Sequence, residues 1–190
     1  MRCFVALRLD DGPEAVLAPW LESTRARFPE LAVSPAANLH LTLAFMVDVG
    51  DEQVDLAGAA VRAAAAGRQP WPLRWTSPGV FPSRARPRVL WLGVEDSETL
   101  AGAHVALSAG LTPAGLASEV RAFHPHLTLA RLRRPHVPRE RVEDIMAHLE
   151  TLPVPRPSRV VALVLFRSQL GRGPAVHTPL LRVPLVGPGD

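Results

Sequence analysis

Two histidines stand in identical settings. The stretch His40-Leu41-Thr42-Leu43-Ala44 recurs, residue for residue, as His126-Leu127-Thr128-Leu129-Ala130. Each copy offers an imidazole and, two positions on, a hydroxyl. In an extended strand residues i and i+2 share a face, so His40 projects with Thr42 and His126 with Thr128, while Leu39, Leu41, Leu43 and Phe45 point the other way. Imidazole is the side chain that ordinarily titrates closest to neutrality, and two of them on opposite sides of one ligand can serve as general base and general acid together. The transformation that most needs this pairing is in-line displacement at phosphorus. One histidine deprotonates the attacking water and the other protonates the departing oxygen. The threonine hydroxyls then donate to non-bridging oxygens whose charge grows in the transition state. A lone histidine on a strand is more often a half-buried polar residue; duplication of the whole setting favours the chemical reading. No metal is called for.

Both motifs must be held by strands that face one another. Residues 2–9 read as a first strand, and Asp11-Gly12-Pro13-Glu14 has the spacing of a capping box that opens a helix running to about Phe28, where Pro29 stops it. After the first motif strand, Asp51 opens an Ala-rich helix to Gly67, where a C-terminal cap is expected. Residues 71–80 and 87–94 read as a hairpin joined by the Pro- and Arg-rich segment 81–86. A third helix spans about 97–110. Beyond the second motif come a turn over 133–138, a helix over 139–149 and strands over 159–167 and 175–186. The two motifs are 126 − 40 = 86 residues apart, too long a period for a solenoid but suited to two similar halves. The expected architecture is therefore α+β: one domain over 1–190 with two pseudo-symmetric lobes, each a small antiparallel sheet with helices. The lobes face across a central cleft, and residues 187–190 form a frayed tail.

Composition narrows the chemistry further. The 190 residues are 47% hydrophobic, enough to bury a core, and no apolar run is long enough to span a bilayer. The opening residues are too short and polar for a signal peptide, and one cysteine, Cys3, allows no intramolecular disulfide, so a cytoplasmic monomer is expected. All 21 cationic side chains are Arg, since Lys is absent, and the formal charge is only +3. That modest positive field suits a phosphate-bearing ligand. Without Lys, a lysyl-nucleotide, a Schiff base and a phosphate-loop lysine are all excluded.

The segments 38–45 (Asn-Leu-His-Leu-Thr-Leu-Ala-Phe) and 123–129 (Phe-His-Pro-His-Leu-Thr-Leu) resemble the paired motifs of the two-histidine phosphoesterases. The similarity is closest to the branch of RNA 2′,3′-cyclic phosphodiesterases, formerly called 2′-5′ RNA ligases. The opening strand, Val89-Leu90-Trp91-Leu92-Gly93, Leu165-Phe166-Arg167-Ser168 and His177-Thr178-Pro179-Leu180 are also similar to that branch. The resemblance implies an enzyme without cofactor that opens 2′,3′-cyclic phosphates on RNA ends, or small cyclic nucleotides, and leaves a 2′-phosphomonoester. By the same resemblance His40 is the proton donor to the leaving 3′ oxygen and His126 the proton acceptor from water. A glycine commonly follows the first motif in that branch, whereas Met46-Val47 stands here. Two other readings remain beside this one: an RNA-end binding module without turnover, and a ligase that joins 2′,5′ ends at the same site.

The remaining residues divide between function and scaffold. Strict alternation turns Phe45 and Arg131 away from the cleft, as a core Phe and a solvated Arg; a twist at the strand ends would instead bring Arg131 to the phosphate and Phe45 under a base, as related enzymes suggest. His124 and His126 form an i, i+2 pair, which can be a metal pattern, but the repeat accounts for His126 and no acidic or Cys partner is evident. His104, His136 and His148 are expected to be solvated. His177 is assigned a structural role more readily than a place in the cleft. The run Arg131, Arg133, Arg134, Arg139, Arg141 either guides RNA or is an ordinary exposed turn and helix. Trp71, Trp75 and Trp91 sit in alternating apolar contexts that favour core packing over base stacking, and Cys3 is expected to be buried and inert.

Overall fold

A computed structural model describes residues 1–10, 12–116, 123–134, 137–171 and 174–186. The strands are β1 (Arg2–Leu9), β2 (Leu31–Val33), β3 (Leu41–Met46), β4 (Trp71–Leu73), β5 (Trp75–Ser83), β6 (Arg86–Val94), β7 (His126–Leu132), β8 (Ser158–Gln169) and β9 (Val176–Pro184). The helices are α1 (Glu14–Arg27), α2 (Asp51–Ala65), α3 (Glu98–Leu111) and α4 (Arg139–Leu149). Every strand pairing is antiparallel, in the order β4-β8-β1-β3-β7-β6-β5, with β2 on β7 and β9 on β8. The α+β class is as the alternation of periods predicts.

The two motif strands meet at the middle of the sheet through the register pair Leu41↔Leu127. Both leucines are 1% exposed, and burying each stabilises the junction by about 1.5–3 kcal/mol. An antiparallel pairing about this point relates the two copies by a local two-fold operation, which is why one histidine comes from each side. The halves of the sheet are not the halves of the sequence. β8 and β9, from the C-terminal half, complete the group around β1 and β3, while β2, β5 and β6 pair around β7.

Local sequence explains most element ends. Ser97 caps α3 by accepting the Leu100 N–H at 3.2 Å. Gln53 takes the Gly50 N–H at 2.9 Å at the start of α2, and Gly67 follows that helix with φ +70°. The Ala-rich character of α2 also has a tertiary cause: Ala57, Ala60 and Ala64 are buried, and a Cβ on Gly110 of α3 would lie 2.8 Å from that of Ala60. The N-cap of α1 is Pro13; Asp11 of the expected capping box lies outside the described residues, as do His136 and the tail 187–190. The expected strand over 71–80 is two strands. Arg74 divides it, so that β4 pairs with β8 while β5 pairs with β6 through Ser83↔Arg86, which makes the hairpin longer and its turn tighter than the sequence suggests. Among the described residues no helix is long and apolar enough to cross a membrane.

Candidate active site

A cleft of about 770 Å³ opens over the β3–β7 junction, and His40, Thr42, Phe45, His126, Thr128 and Arg131 all line it. The sequence reading places the first two residues of each copy there by alternation. Phe45 and Arg131 arrive by another route. Opposite β3, Val5 pairs with Ala44 and Ala6 with Thr42, which leaves Leu43 as an extra residue. Opposite β7, Leu90 pairs with Ala130 and Trp91 with Thr128, which leaves Leu129 extra. Each is a β-bulge, and one inserted residue shifts the alternation by one. Residues three apart, Thr42 with Phe45 and Thr128 with Arg131, therefore share the cleft face. This corrects the strict-alternation expectation for both.

The bulges leave backbone groups that the ladder cannot pair, and buried carbonyls need donors. His104 Nδ1–H donates to the Leu43 carbonyl at 3.0 Å, and its ring stacks on Phe123 at 3.9 Å between centroids. The Ser34 N–H donates to the Leu129 carbonyl at 2.8 Å. His104 is thus a buttress of the first bulge and not the solvated helix residue expected. His148 departs from expectation in the same way. It stacks on Trp20 at 4.9 Å, lies 5.2 Å from Phe28 and shares a 2.8 Å hydrogen bond with the fully buried Thr24, tying α4 to α1.

The two motif imidazoles are set alike. His40 Nδ1 lies 2.7 Å from the Asn38 carbonyl and His126 Nδ1 lies 2.7 Å from the His124 carbonyl. A carbonyl oxygen only accepts, so both Nδ1 atoms carry hydrogen, and in the neutral rings both Nε2 atoms are unprotonated. Each ring also has an aromatic backing. His40 stacks on Phe4 at 4.6 Å, with Phe166 behind Phe4 at 5.0 Å. His126 meets Phe81 edge-on at 5.1 Å, and Phe81 packs on Trp91 at the same centroid distance. A Cβ at Gly79 would land on the Trp91 ring, so the bare glycine is what lets the indole lie there.

Electrostatics favour neutral rings. Burial pushes His40 below the ordinary imidazole value, the Asn38 carbonyl pulls it back, and the positive neighbours His177, Arg131 and His126 push it down again. His126 is lowered by burial, raised by the His124 carbonyl and lowered by Arg131 and His124. Burial lowers Arg131 as well, but a guanidinium stays charged throughout the physiological range. Among the described residues no carboxylate pairs with Arg131, and no protein atom takes the hydroxyl of Thr42 or Thr128. The cleft thus presents a fixed cation and unengaged donors beside two imidazoles held below their ordinary pKa.

His177 belongs here too, against the structural role preferred for it. It lines the cleft, meets His40 edge-on at 5.2 Å and Phe4 at 4.9 Å, and its buried Nδ1 has no hydrogen-bond partner among the described residues. Asn38 secures that wall: its amide donates to the Ala175 carbonyl at 2.9 Å, just before β9. The sequence carried one signal for it, a histidine in the segment similar to the branch, with nothing to fix its direction. The basic run splits. Arg131 and Arg133 line the cleft, whereas Arg139 pairs with Glu143 at 2.9 Å and Arg141 with Glu30. Trp71 and Trp75 are core residues, 5% and 8% exposed, as expected. Cys3 is wholly buried, which raises its thiol pKa and leaves it inert. Among the described residues no three His, Cys, Asp or Glu side chains cluster as metal ligands would.

Known proteins match the chain over the same span. The family model described as the 2'-5' RNA ligase superfamily matches residues 13–172. An RNA 2',3'-cyclic phosphodiesterase of Methanothermobacter thermautotrophicus is 29% identical over 180 residues, 95% of this chain and 96% of that one. The protein of the same name from Archaeoglobus fulgidus is 33% identical over 134 residues, 70% of this chain and 74% of its own. Among solved structures, one from Thermus thermophilus has a TM-score of 0.76 at 27% identity, covering 99% of this chain and 100% of that one. E. coli LigT complexed with 3'-AMP has a TM-score of 0.71 at 27% identity, covering 98% of each chain. With its duplicated His-x-Thr strands and this match over most of its length, the chain belongs to the 2'-5' RNA ligase superfamily, the two-histidine phosphoesterases.

Proposed function

We propose that the chain hydrolyses RNA 2′,3′-cyclic phosphate ends to 2′-phosphomonoesters, with His40 as proton donor and His126 as proton acceptor. The observation that carries this reading is the matched anchoring of the two rings, each with Nδ1–H fixed on a carbonyl two residues back and Nε2 left for a ligand. The relatives named RNA 2',3'-cyclic phosphodiesterases support the substrate class.

In the proposed step water attacks phosphorus in line with the 3′ oxygen. His126 Nε2 takes the water proton as the new P–O bond forms, and the P–O3′ bond breaks as His40 Nε2–H passes its proton to the departing oxygen. His126 ends protonated and His40 neutral, and exchange with solvent restores both. Arg131 and the hydroxyls of Thr42 and Thr128 donate to the non-bridging oxygens, and Phe45 stacks under the terminal base. The step needs no metal ion and no covalent intermediate.

The test is a synthetic RNA ending in 2′,3′-cyclic phosphate, incubated with the protein in excess chelator and followed by phosphorus NMR. A 2′-monoester is expected. A 3′-monoester would overturn the leaving-group assignment, loss of activity on chelation would overturn the metal-free step, and binding without turnover would leave an RNA-end binding module. A 5′-hydroxyl oligonucleotide added to the same reaction tests the ligase reading, in which that hydroxyl replaces water.

A further inference from the structure

Of the five arginines that follow the second motif, the structure leaves two facing the cleft, and only one is needed at the scissile phosphate. Arg133 lies two residues beyond Arg131. Its N–H donates to the Glu30 carbonyl at 3.0 Å, which continues the β2–β7 ladder past Leu31↔Leu132. That bond carries the ladder one residue past the end of β7 at Leu132, into the bend at 133–134, and both Arg131 and Arg133 line the cleft. A fully extended two-residue step is about 6.6 Å, which bounds the backbone separation of the two arginines and is of the order of the spacing between neighbouring phosphates of a single-stranded nucleic acid. Among the described residues no carboxylate pairs with Arg133, in contrast with Arg139 and Arg141. The cleft volume of about 770 Å³ also leaves room beyond one nucleoside, since pockets for drug-sized ligands span about 300–1,000 Å³.

We infer that Arg133 forms a second phosphate subsite, which takes the 5′ phosphate of the terminal nucleotide when Arg131 holds the cyclic phosphate. The ligand this cleft fits is then an RNA end with a phosphodiester before its last nucleoside, in preference to a free nucleoside 2′,3′-cyclic phosphate. The inference rests on the proposed function. It adds a specificity-determining contact at a phosphate that does not react.

Three substrates test it: adenosine 2′,3′-cyclic phosphate, the same compound with a 5′ phosphate, and the cyclic-ended dinucleotide ApA. Wild-type kcat/KM is expected to rise on the order of 3- to 10-fold on adding the 5′ phosphate, as one exposed charge-assisted contact would supply. Arg133→Gln should lose several-fold more on the two substrates with a phosphate 5′ to the terminal nucleoside than on the first, mostly through KM, and Arg133→Lys should recover part of that loss. On the dinucleotide Arg133→Gln should also flatten the slope of log kcat/KM against log salt by about 0.7, the value for one single-strand phosphate contact. Turnover of all three substrates at equal efficiency, or an Arg133→Gln loss equal on all three, would overturn the subsite and leave the hydrolytic reading standing. No turnover of any would overturn both.

Discussion

The assignment of donor and acceptor is best tested with asparagine and not with alanine. His40→Ala removes the donor to the Asn38 carbonyl along with the ring, and an orphaned acceptor costs up to about 1–3 kcal/mol, so lost activity and lost folding would be mixed. Asparagine places an amide N–H near the position of Nδ1 and has nothing at Nε2. His40→Asn and His126→Asn therefore keep the anchoring bond and delete only the proton-transfer atom. The stability lost should be near that of one aromatic contact, about 0.5–1.5 kcal/mol for the Phe4 stack in the case of His40. The rate lost should be that of a general acid or base, about 10²- to 10⁴-fold, or roughly 2.7–5.4 kcal/mol at 1.36 kcal/mol per decade. The assay is single-turnover ring opening of a substrate with oxygen or sulfur at the bridging 3′ position. A thiol ordinarily ionises near about 8.5 and leaves without a proton. Sulfur should restore His40→Asn to within about tenfold of wild type and leave His126→Asn unrescued. Rescue of His126→Asn alone would reverse the two roles, and rescue of neither, or a full rate in either variant on the oxygen substrate, would refute the acid and base pair.

Thr42→Val and Thr128→Val keep the β-branched shape and remove a hydroxyl that no described residue engages, so each should cost roughly 1–3 kcal/mol in kcat with the melting temperature unchanged; a loss confined to stability would make them structural. Because burial and Arg131 hold both imidazoles below their ordinary value, the bell-shaped kcat/KM profile of the free enzyme should be centred on the acid side of about pH 6.5, and the kcat profile should lie higher once the phosphate anion is bound. A kcat/KM maximum above pH 7, or one that does not move up in Arg131→Gln, would contradict this. His40, His126, His148 and His177 are all lowered in the fold, so protonation favours the unfolded chain. Stability should be flat above about pH 6.5 and fall as pH drops below it, and denaturant midpoints that rise between pH 6.5 and 5 would refute the assignment. His104→Phe keeps the stack on Phe123 and removes the donor to the Leu43 carbonyl; activity should fall through Phe45 placement and KM, with His40 chemistry at saturating substrate largely preserved.

The pairing of each motif histidine with its threonine on the cleft face was legible in the sequence because it is carried by period-two alternation, which acts over three residues and needs no partner. His40 with Thr42 and His126 with Thr128 share a face in any extended conformation, and four helices could be read from spacing and caps. The bulges at Leu43 and Leu129 could not be read there. A bulge is a relation between a strand and its neighbour, and it exists only once β1 lies beside β3 and β6 beside β7. It alone turned Phe45 and Arg131 into the cleft. The strand exchange is likewise invisible in an 86-residue repeat, because pairing β8 with β1 and β2 with β7 depends on which edges remain open after the motif strands meet at Leu41↔Leu127. His104, His148 and His177 were misread for the same reason. Each sits in a largely apolar stretch that names no polar partner, and the group it meets, a bulge carbonyl, a buried threonine or a second imidazole, lies at least 61 residues away in the chain. Local backbone geometry thus determined which side chains could act together, and tertiary pairing determined what surrounds them.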